Sequence, residues 1–318
     1  MKPIVIAVVG PTASGKTALG VALAKRLNGE VISADSMQIY QGMDIATAKP
    51  THSEMQGVPH HLIGFLPVGA SFSVAQYKEL CCRCIEEILS RGKTPILVGG
   101  TGLYVDAVIK NTTFFAEADT TARDALSEQY DAEGGEQMLE RLRRIDPQTA
   151  EKLHAKDKKR ILRALEVFAA TGKTLTEQNQ QSHAEDSPYC FCMIGLFAQD
   201  RAFLYDRINR RVDSMVDAGL LEEAERFFAT PDAGTARQAI GYKELKPYFD
   251  AAVPLQDALS NLKMETRRYA KRQLTWFRRY QTIHWLPIDR LSVQELLQES
   301  LSRIQQETGL CPPEGGCT

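Results

Sequence analysis

The octapeptide Gly10-Pro11-Thr12-Ala13-Ser14-Gly15-Lys16-Thr17 follows an apolar run, Ile4-Val5-Ile6-Ala7-Val8-Val9, and precedes a helix-like stretch over residues 18–27. The pattern G-x-x-x-x-G-K-T is that of a phosphate-binding loop. Its glycines let the backbone turn tightly, successive N–H groups aim at phosphate oxygens, and a lysine charge and a magnesium-coordinating hydroxyl stand beside them. A strand before and a helix after are the context that gives the motif its meaning, and the helix N-terminus adds positive potential. The loop assigns Gly10, Thr12, Ala13, Ser14, Gly15, Lys16 and Thr17 to a diphosphate group, with Thr17 as ligand to Mg²⁺. It leaves open whether that group belongs to ATP or to another diphosphate ester.

Outward from the loop, short apolar runs at residues 30–34 and 95–98 alternate with helical stretches as far as Lys110. This is the pattern of a parallel, doubly wound α/β sheet, whose ligands lie beyond the carboxyl ends of its strands. Gly10, Asp35 and Gly99-Gly100-Thr101 should therefore meet at one crevice. Residues 114–187 are polar and helix-rich, residues 189–197 are strand-like again, and the pattern after Asp200 is helical to about Tyr280. The expected architecture is a P-loop NTPase-like parallel sheet flanked by helices, with a helical insertion. Residues 1–113 and 188–308 form the core, residues 114–187 the insertion and residues 309–318 a disordered tail.

Among the 318 residues, 43% are apolar and 25% charged, the balance of an ordinary soluble globular protein. No run approaches the roughly 18 apolar residues of a membrane span, and no leader is evident, so a cytoplasmic protein without an obligate protein partner is expected. The seven cysteines are odd in number and have no matching histidine pair, so neither a disulfide framework nor a zinc site is indicated. Three of them, Cys81, Cys82 and Cys84, fall on an amphipathic helix over residues 74–89, where thiols act as small hydrophobes. The net charge of −2 hides a segregation: residues 263–279 hold seven basic side chains against one acid. A local basic patch can bind nucleic acid although the whole chain is slightly acidic.

Several groups could carry chemistry. Asp35, at a strand end, could cap the next helix, hold a metal, or serve as a general base for a proton within reach. Thr101 offers a hydroxyl after a glycine pair that permits close approach of backbone and ligand. Arg160 and Arg163 share a helix face, which is either a solvated charged surface or a binding row. The arginines of residues 201–211 either balance acids or grip a diphosphate. Along residues 264–280, Ala270, Leu274 and Phe277 form an apolar stripe while Arg268, Arg272 and Arg279 form a basic one, a layout that suits a phosphate backbone. Tyr269, Trp276 and Tyr280 read as packing, and Pro59-His60 as a turn without a catalytic role.

Together these motifs resemble the tRNA dimethylallyltransferases, over nearly the whole chain. The resemblance rests on the phosphate loop, Ile32-Ser33-Ala34-Asp35-Ser36-Met37-Gln38-Ile39-Tyr40, Met43-Asp44-Ile45-Ala46-Thr47-Ala48-Lys49-Pro50, Pro59-His60-His61-Leu62, residues 98–104, Arg163-Ala164-Leu165-Glu166-Val167, Arg237-Gln238-Ala239-Ile240-Gly241-Tyr242-Lys243-Glu244 and the basic helix. It implies that the loop holds dimethylallyl diphosphate and consumes no ATP. A dimethylallyl group then passes to N6 of the adenine 3′-adjacent to the anticodon, with that base flipped out of its stack. By the same resemblance Asp35 is the base, Thr101 stands near the bridging oxygen of the donor, and Arg211 is a further diphosphate ligand. The resemblance also puts Asp35, Ser36, Met37, Gln38, Thr101, Arg123, Lys159, Arg160, Arg163, Arg237, Gly241, Lys243, Arg268 and Arg272 against the anticodon arm, with the insertion gripping the tRNA. Ala46 stands where the family has glycine, and the zinc finger of eukaryotic members is missing, which favours a bacterial type. The rival readings are an isopentenyltransferase acting on free adenine nucleotides, a P-loop small-molecule kinase and a nucleotide-switched RNA binder. None of them uses the insertion, the basic helix and a catalytic Asp35 together.

Overall fold

The computed structural model describes residues 2–114, 120–182 and 186–311. Six strands form one parallel sheet: β1 (Ile4–Val9), β2 (Gly29–Ser33), β3 (His60–His61), β4 (Thr94–Gly99), β5 (Cys190–Phe197) and β6 (Ile283–Pro287), in the spatial order β3-β2-β4-β1-β5-β6. Strand β1 lies inside the sheet, pairing Ile6 with Ile96 of β4 on one side and with Cys192 of β5 on the other. Its side chains from Val5 to Val9 are fully buried, which is why the run is continuously apolar rather than alternating. Helices cover both faces. On one face, Leu19 and Leu23 of the helix Lys16–Arg26 pack with Ile6, Val8 and Ile194. On the other, Tyr77, Cys81 and Ile85 of the helix Val74–Ser90 pack with Val5, Ala7 and Leu97.

The chain divides into two compact units, Met1–Ile109 with Pro188–Thr318, and Lys110–Ser187. The second is helical throughout its described residues and has its own core, in which Met138, Leu142, Ile161 and Leu165 are buried. Among the described residues, no helix is long and apolar enough to cross a membrane.

Two sequence-based expectations need correction. The segment Pro59-His60 is not a free turn, because His60–His61 is the edge strand β3 and is registered against Val31 and Ile32. Two residues are too few for alternation to show in the sequence. A second strand, β6, was not anticipated. It runs parallel to β5 at the other edge, with His284 beside Ile194. The stretch after Asp200 is also less uniformly helical than expected, since a short 3₁₀ turn, Gly234–Gln238, interrupts it. Of the expected tail, residues 312–318 lie outside the described residues.

Candidate active site

The phosphate loop leaves β1 at Gly10, whose φ of 142° and close approach to the Leu196 carbonyl leave no room for a side chain. The loop ends at Gly15, whose φ of 90° turns the backbone into the helix Lys16–Arg26. Inside the loop the Ser14 hydroxyl donates to the Pro11 carbonyl at 2.8 Å, and the Lys16 ammonium donates to the same oxygen at 2.6 Å. Two contacts from distant helices hold it from outside. Arg207 Nε donates to the Ala13 carbonyl at 2.8 Å, and Gln273 Oε1 accepts the Thr12 N–H at 2.8 Å.

Gln273 also donates through Nε2 to the Gly100 carbonyl at 3.0 Å, so one buried amide ties the first strand-end loop to the third. A Cβ on Gly100 would lie 2.1 Å from that Nε2, and one on Gly99 would lie 2.2 Å from the Ala34 carbonyl. The close approach the glycine pair permits is therefore made by the protein's own β2 end and basic helix. Asp35 and Thr101 meet where β2 and β4 end. Asp35 Oδ1 accepts the N–H groups of Met37, at 2.9 Å, and Gln38, at 3.3 Å. Thr101 Oγ1 accepts the Ser36 N–H at 3.0 Å. Asp35 thus caps the following turn and borders the crevice at once, so the two readings of a strand-end aspartate are compatible.

A cavity of about 1090 Å³ opens between these loops and the C-terminal helices. Its wall includes Thr12, Ala13, Gly15, Lys16, Thr17, Asp35, Ser36, Met37, Gln38, Arg211, Gly241 and Arg272. Gly10 and Ser14 lie behind it in the buried turn, and Thr101 joins it through Ser36. Charge is concentrated here. Burial, reinforced by the Arg211 charge and partly offset by Asp35, brings the Lys16 ammonium down to about 7. Burial likewise lowers the Arg211 guanidinium, which Asp35 counteracts. Tyr269, also in the wall, has its hydroxyl pushed well up, first by burial and then by the Asp35 charge.

Other expected contact residues lie elsewhere. Arg237, Lys243 and Arg268 are exposed and outside the cavity wall, with Arg268 paired to Glu265. Arg123, Lys159, Arg160 and Arg163 come together in the insertion unit, where they line a second cavity of about 790 Å³ with Thr149, Thr176 and Gln180 among its polar residues. Arg279 does not belong to a free basic stripe. Its guanidinium sits 4.1 Å from the Trp276 ring centroid and donates to Asp106 at 3.3 Å. Asp106 also accepts from Trp276 Nε1 at 3.0 Å and from the Tyr280 hydroxyl, so both of these aromatics are packing residues.

Sequence reasoning passed over two residues that shape the site, Gln273 and Glu223, and took Arg207 only as one of the arginines of residues 201–211, without its bond to the loop. The buried carboxylate of Glu223 accepts the N–H groups of Asp44, Ile45 and Ala46, each at 2.8 Å, and the Tyr242 hydroxyl at 2.8 Å. It thereby holds a loop that forms part of the cavity wall. Their partners Asp44, Ala13 and Thr12 in the loops lie 179 to 261 positions away in the chain, so no local spacing announces them.

A family model described as IPP transferase matches residues 38–280. A tRNA dimethylallyltransferase of Halalkalibacterium halodurans is 48% identical over 304 residues, covering 94% of this chain and 96% of its own. That of Oceanobacillus iheyensis is 46% identical, covering 94% and 95%. Among solved structures, the full-length tRNA isopentenylpyrophosphate transferase of Bacillus halodurans superposes with a TM-score of 0.71 at 44% identity, over 98% of this chain and 99% of that one. A eukaryotic dimethylallyltransferase acting on tRNA gives a TM-score of 0.81 at 27% identity, over 98% of this chain and 81% of that one.

Proposed function

Because this chain belongs to the IPP transferase family, we propose that it transfers a dimethylallyl group from dimethylallyl diphosphate to the exocyclic N6 of the adenine 3′-adjacent to a tRNA anticodon. The observation that carries this reading is the convergence of Lys16, Thr17, Asp35 and Arg211 on one cavity, with Thr101 bonded to its wall. The diphosphate lies against the loop N–H groups and the Lys16 charge, with Arg211 supplying a second cation. Adenine N6 is a weak nucleophile, so the donor carbon must become electrophilic as its bond to oxygen breaks. Preorganised donors at the departing oxygens stabilise the charge that develops there. N6 forms the new bond to carbon, diphosphate leaves with the bonding electrons, and the surplus N6 proton passes to Asp35.

The Thr17 hydroxyl in the cavity wall is a hard oxygen donor of the kind that suits Mg²⁺. When bound, Mg²⁺ would neutralise charge on the leaving diphosphate. Thr101 orients the Asp35-Ser36 turn by accepting the Ser36 N–H, which places a hydroxyl next to the base. The insertion's cationic cavity, with Arg123, Lys159, Arg160 and Arg163, is assigned to tRNA phosphates, and the reaction to the cytoplasm.

The deciding experiment incubates the purified protein with Mg²⁺, dimethylallyl diphosphate and unmodified tRNA and reads nucleosides by mass spectrometry, with Asp35→Asn in parallel. Asparagine keeps an acceptor for the Met37 N–H, so the cap persists while the base is removed. The expected result is prenylated adenosine from the wild type and a drop of about 10²–10⁴-fold in turnover for the variant. Product on free AMP but not on tRNA would favour the nucleotide enzyme, and phosphoryl transfer from ATP without prenylation would sink the proposal.

A further inference from the structure

Away from the phosphate loop, three donors of different chemical type converge at the β5–β6 edge of the sheet. They are the Cys192 thiol, the His284 imidazole and the Glu307 carboxylate, whose ligand atoms all lie within 4.8 Å of one another. We propose that these three side chains form a binding site for a thiophilic divalent metal of the Zn²⁺ class, which braces the C-terminal helix and the edge strand to the body of the sheet.

Three separate elements deliver the donors. Cys192 lies on β5 and His284 on the neighbouring parallel strand β6, which is registered against Ile194. Residues 192 and 194 share a face of β5, so the thiol and the imidazole project to the same side of the sheet. Glu307 comes from the last turn of the helix Val293–Thr308, which covers that side. The site is also graded from inside to outside: Cys192 is fully buried, while the His284 and Glu307 side chains are each 34% exposed. A metal can therefore enter from the rim and meet a sulfur held rigidly by the strand.

Within the cluster His284 Nε2 and Glu307 Oε2 are 2.8 Å apart, and the Cys192 thiol lies within 4.8 Å of both. Ligand atoms around a tetrahedral Zn²⁺ stand about 3.3–3.8 Å apart, given bonds of ~2.0–2.3 Å. The observed spacing needs adjustments on the order of 1 Å, which the half-exposed Glu307 can supply. Binding replaces the His284–Glu307 hydrogen bond by three metal bonds and releases the thiol proton to solvent.

The donor set also selects the ion. Sulfur, nitrogen and oxygen together match Zn²⁺, whereas Mg²⁺ asks for an octahedral shell of oxygens. Cys192 pairs with Ile6, four residues before Gly10 on β1, so the cluster lies roughly 13 Å along the strands from the phosphate loop. That distance and the burial of the thiol argue for a structural brace rather than a second catalytic centre.

The test is a titration of the metal-free full-length protein with Co²⁺, read by absorption. The expected result is one equivalent bound, with the intense visible bands of tetrahedral Co²⁺ and a near-ultraviolet thiolate-to-cobalt charge-transfer band. Equimolar Zn²⁺ should abolish these bands and excess Mg²⁺ should not. Cys192→Ser should lose the charge-transfer band, and His284→Ala, altered only at the exposed rim, should weaken binding by at least about tenfold. Cys84→Ser, on the helix Val74–Ser90 that covers the other face of the sheet, should leave the spectrum unchanged. Zn²⁺ should also raise the thermal midpoint of the wild type but not of His284→Ala. Absence of the charge-transfer band in the wild type, or its survival in Cys192→Ser, would overturn the proposal.

Discussion

In the proposed reaction Lys16 meets the diphosphate as an ammonium, yet in the free protein burial, with Arg211 adding to it and Asp35 opposing it, brings its pKa to about 7. Below that pH the charge is already in place, whereas above it an anion must draw a proton onto the lysine as it binds. The sign follows: the Lys16 contribution to diphosphate affinity is complete in mild acid and falls by up to about tenfold per pH unit above 7. Calorimetric titration with inorganic diphosphate across that range checks it, and Lys16→Arg should flatten the slope, because a guanidinium stays charged. Legibility at this scale was uneven. Lys16, Thr17 and Asp35 could be placed at the crevice from sequence, because each follows a strand end within a few residues. The shift on Lys16 could not be read this way, since it comes from burial and from a charge on Arg211, 195 positions away in the chain.

The basic helix Leu255–Phe277 shows how an element can be read correctly and yet incompletely. Its apolar stripe is as expected, with Ala270 and Phe277 fully buried. Its polar side, however, is partly a clamp rather than a free cationic row. Gln273 joins Thr12 to Gly100, Arg267 donates to Asn209 at 2.7 Å, and Lys263 pairs with Asp213. Replacing Gln273 with Ala leaves a buried carbonyl and a loop N–H without their partner, a loss of roughly 1–3 kcal/mol. A urea midpoint should fall accordingly, with m unchanged. Because the clamp sets the phosphate loop against the Gly100 turn, KM for dimethylallyl diphosphate should rise in the same variant while far-UV circular dichroism stays native. A variant with the lower midpoint but an unchanged KM would reduce Gln273 to a packing role.

At the scale of the whole molecule, the proposed function divides the labour between the two units, with chemistry in one and grip in the other. If the insertion's cavity holds tRNA phosphates, Lys159, Arg160 and Arg163 together account for up to three counterions released on binding. Replacing all three with alanine should weaken tRNA affinity and reduce the slope of log K against log salt by about 2–3, while leaving the affinity for dimethylallyl diphosphate intact. Nitrocellulose filter binding over a range of salt concentrations reads both quantities, and an unchanged slope would remove the insertion from the tRNA interface. The sequence by itself determined the parallel α/β core, the phosphate loop and the ligand edge at Asp35 and Thr101. In each case the information is local: a buried strand is continuously apolar, and a tight turn needs glycine at a stated spacing. Only the tertiary structure decided that β3 and β6 close the sheet, that Arg207 and Gln273 clamp the loop, that Glu223 holds residues 44–46, and that Cys192, His284 and Glu307 meet. Two-residue strands carry no periodicity, and hydrogen bonds across 170 positions or more depend on how helices pack on the sheet, a relation that no window of sequence contains.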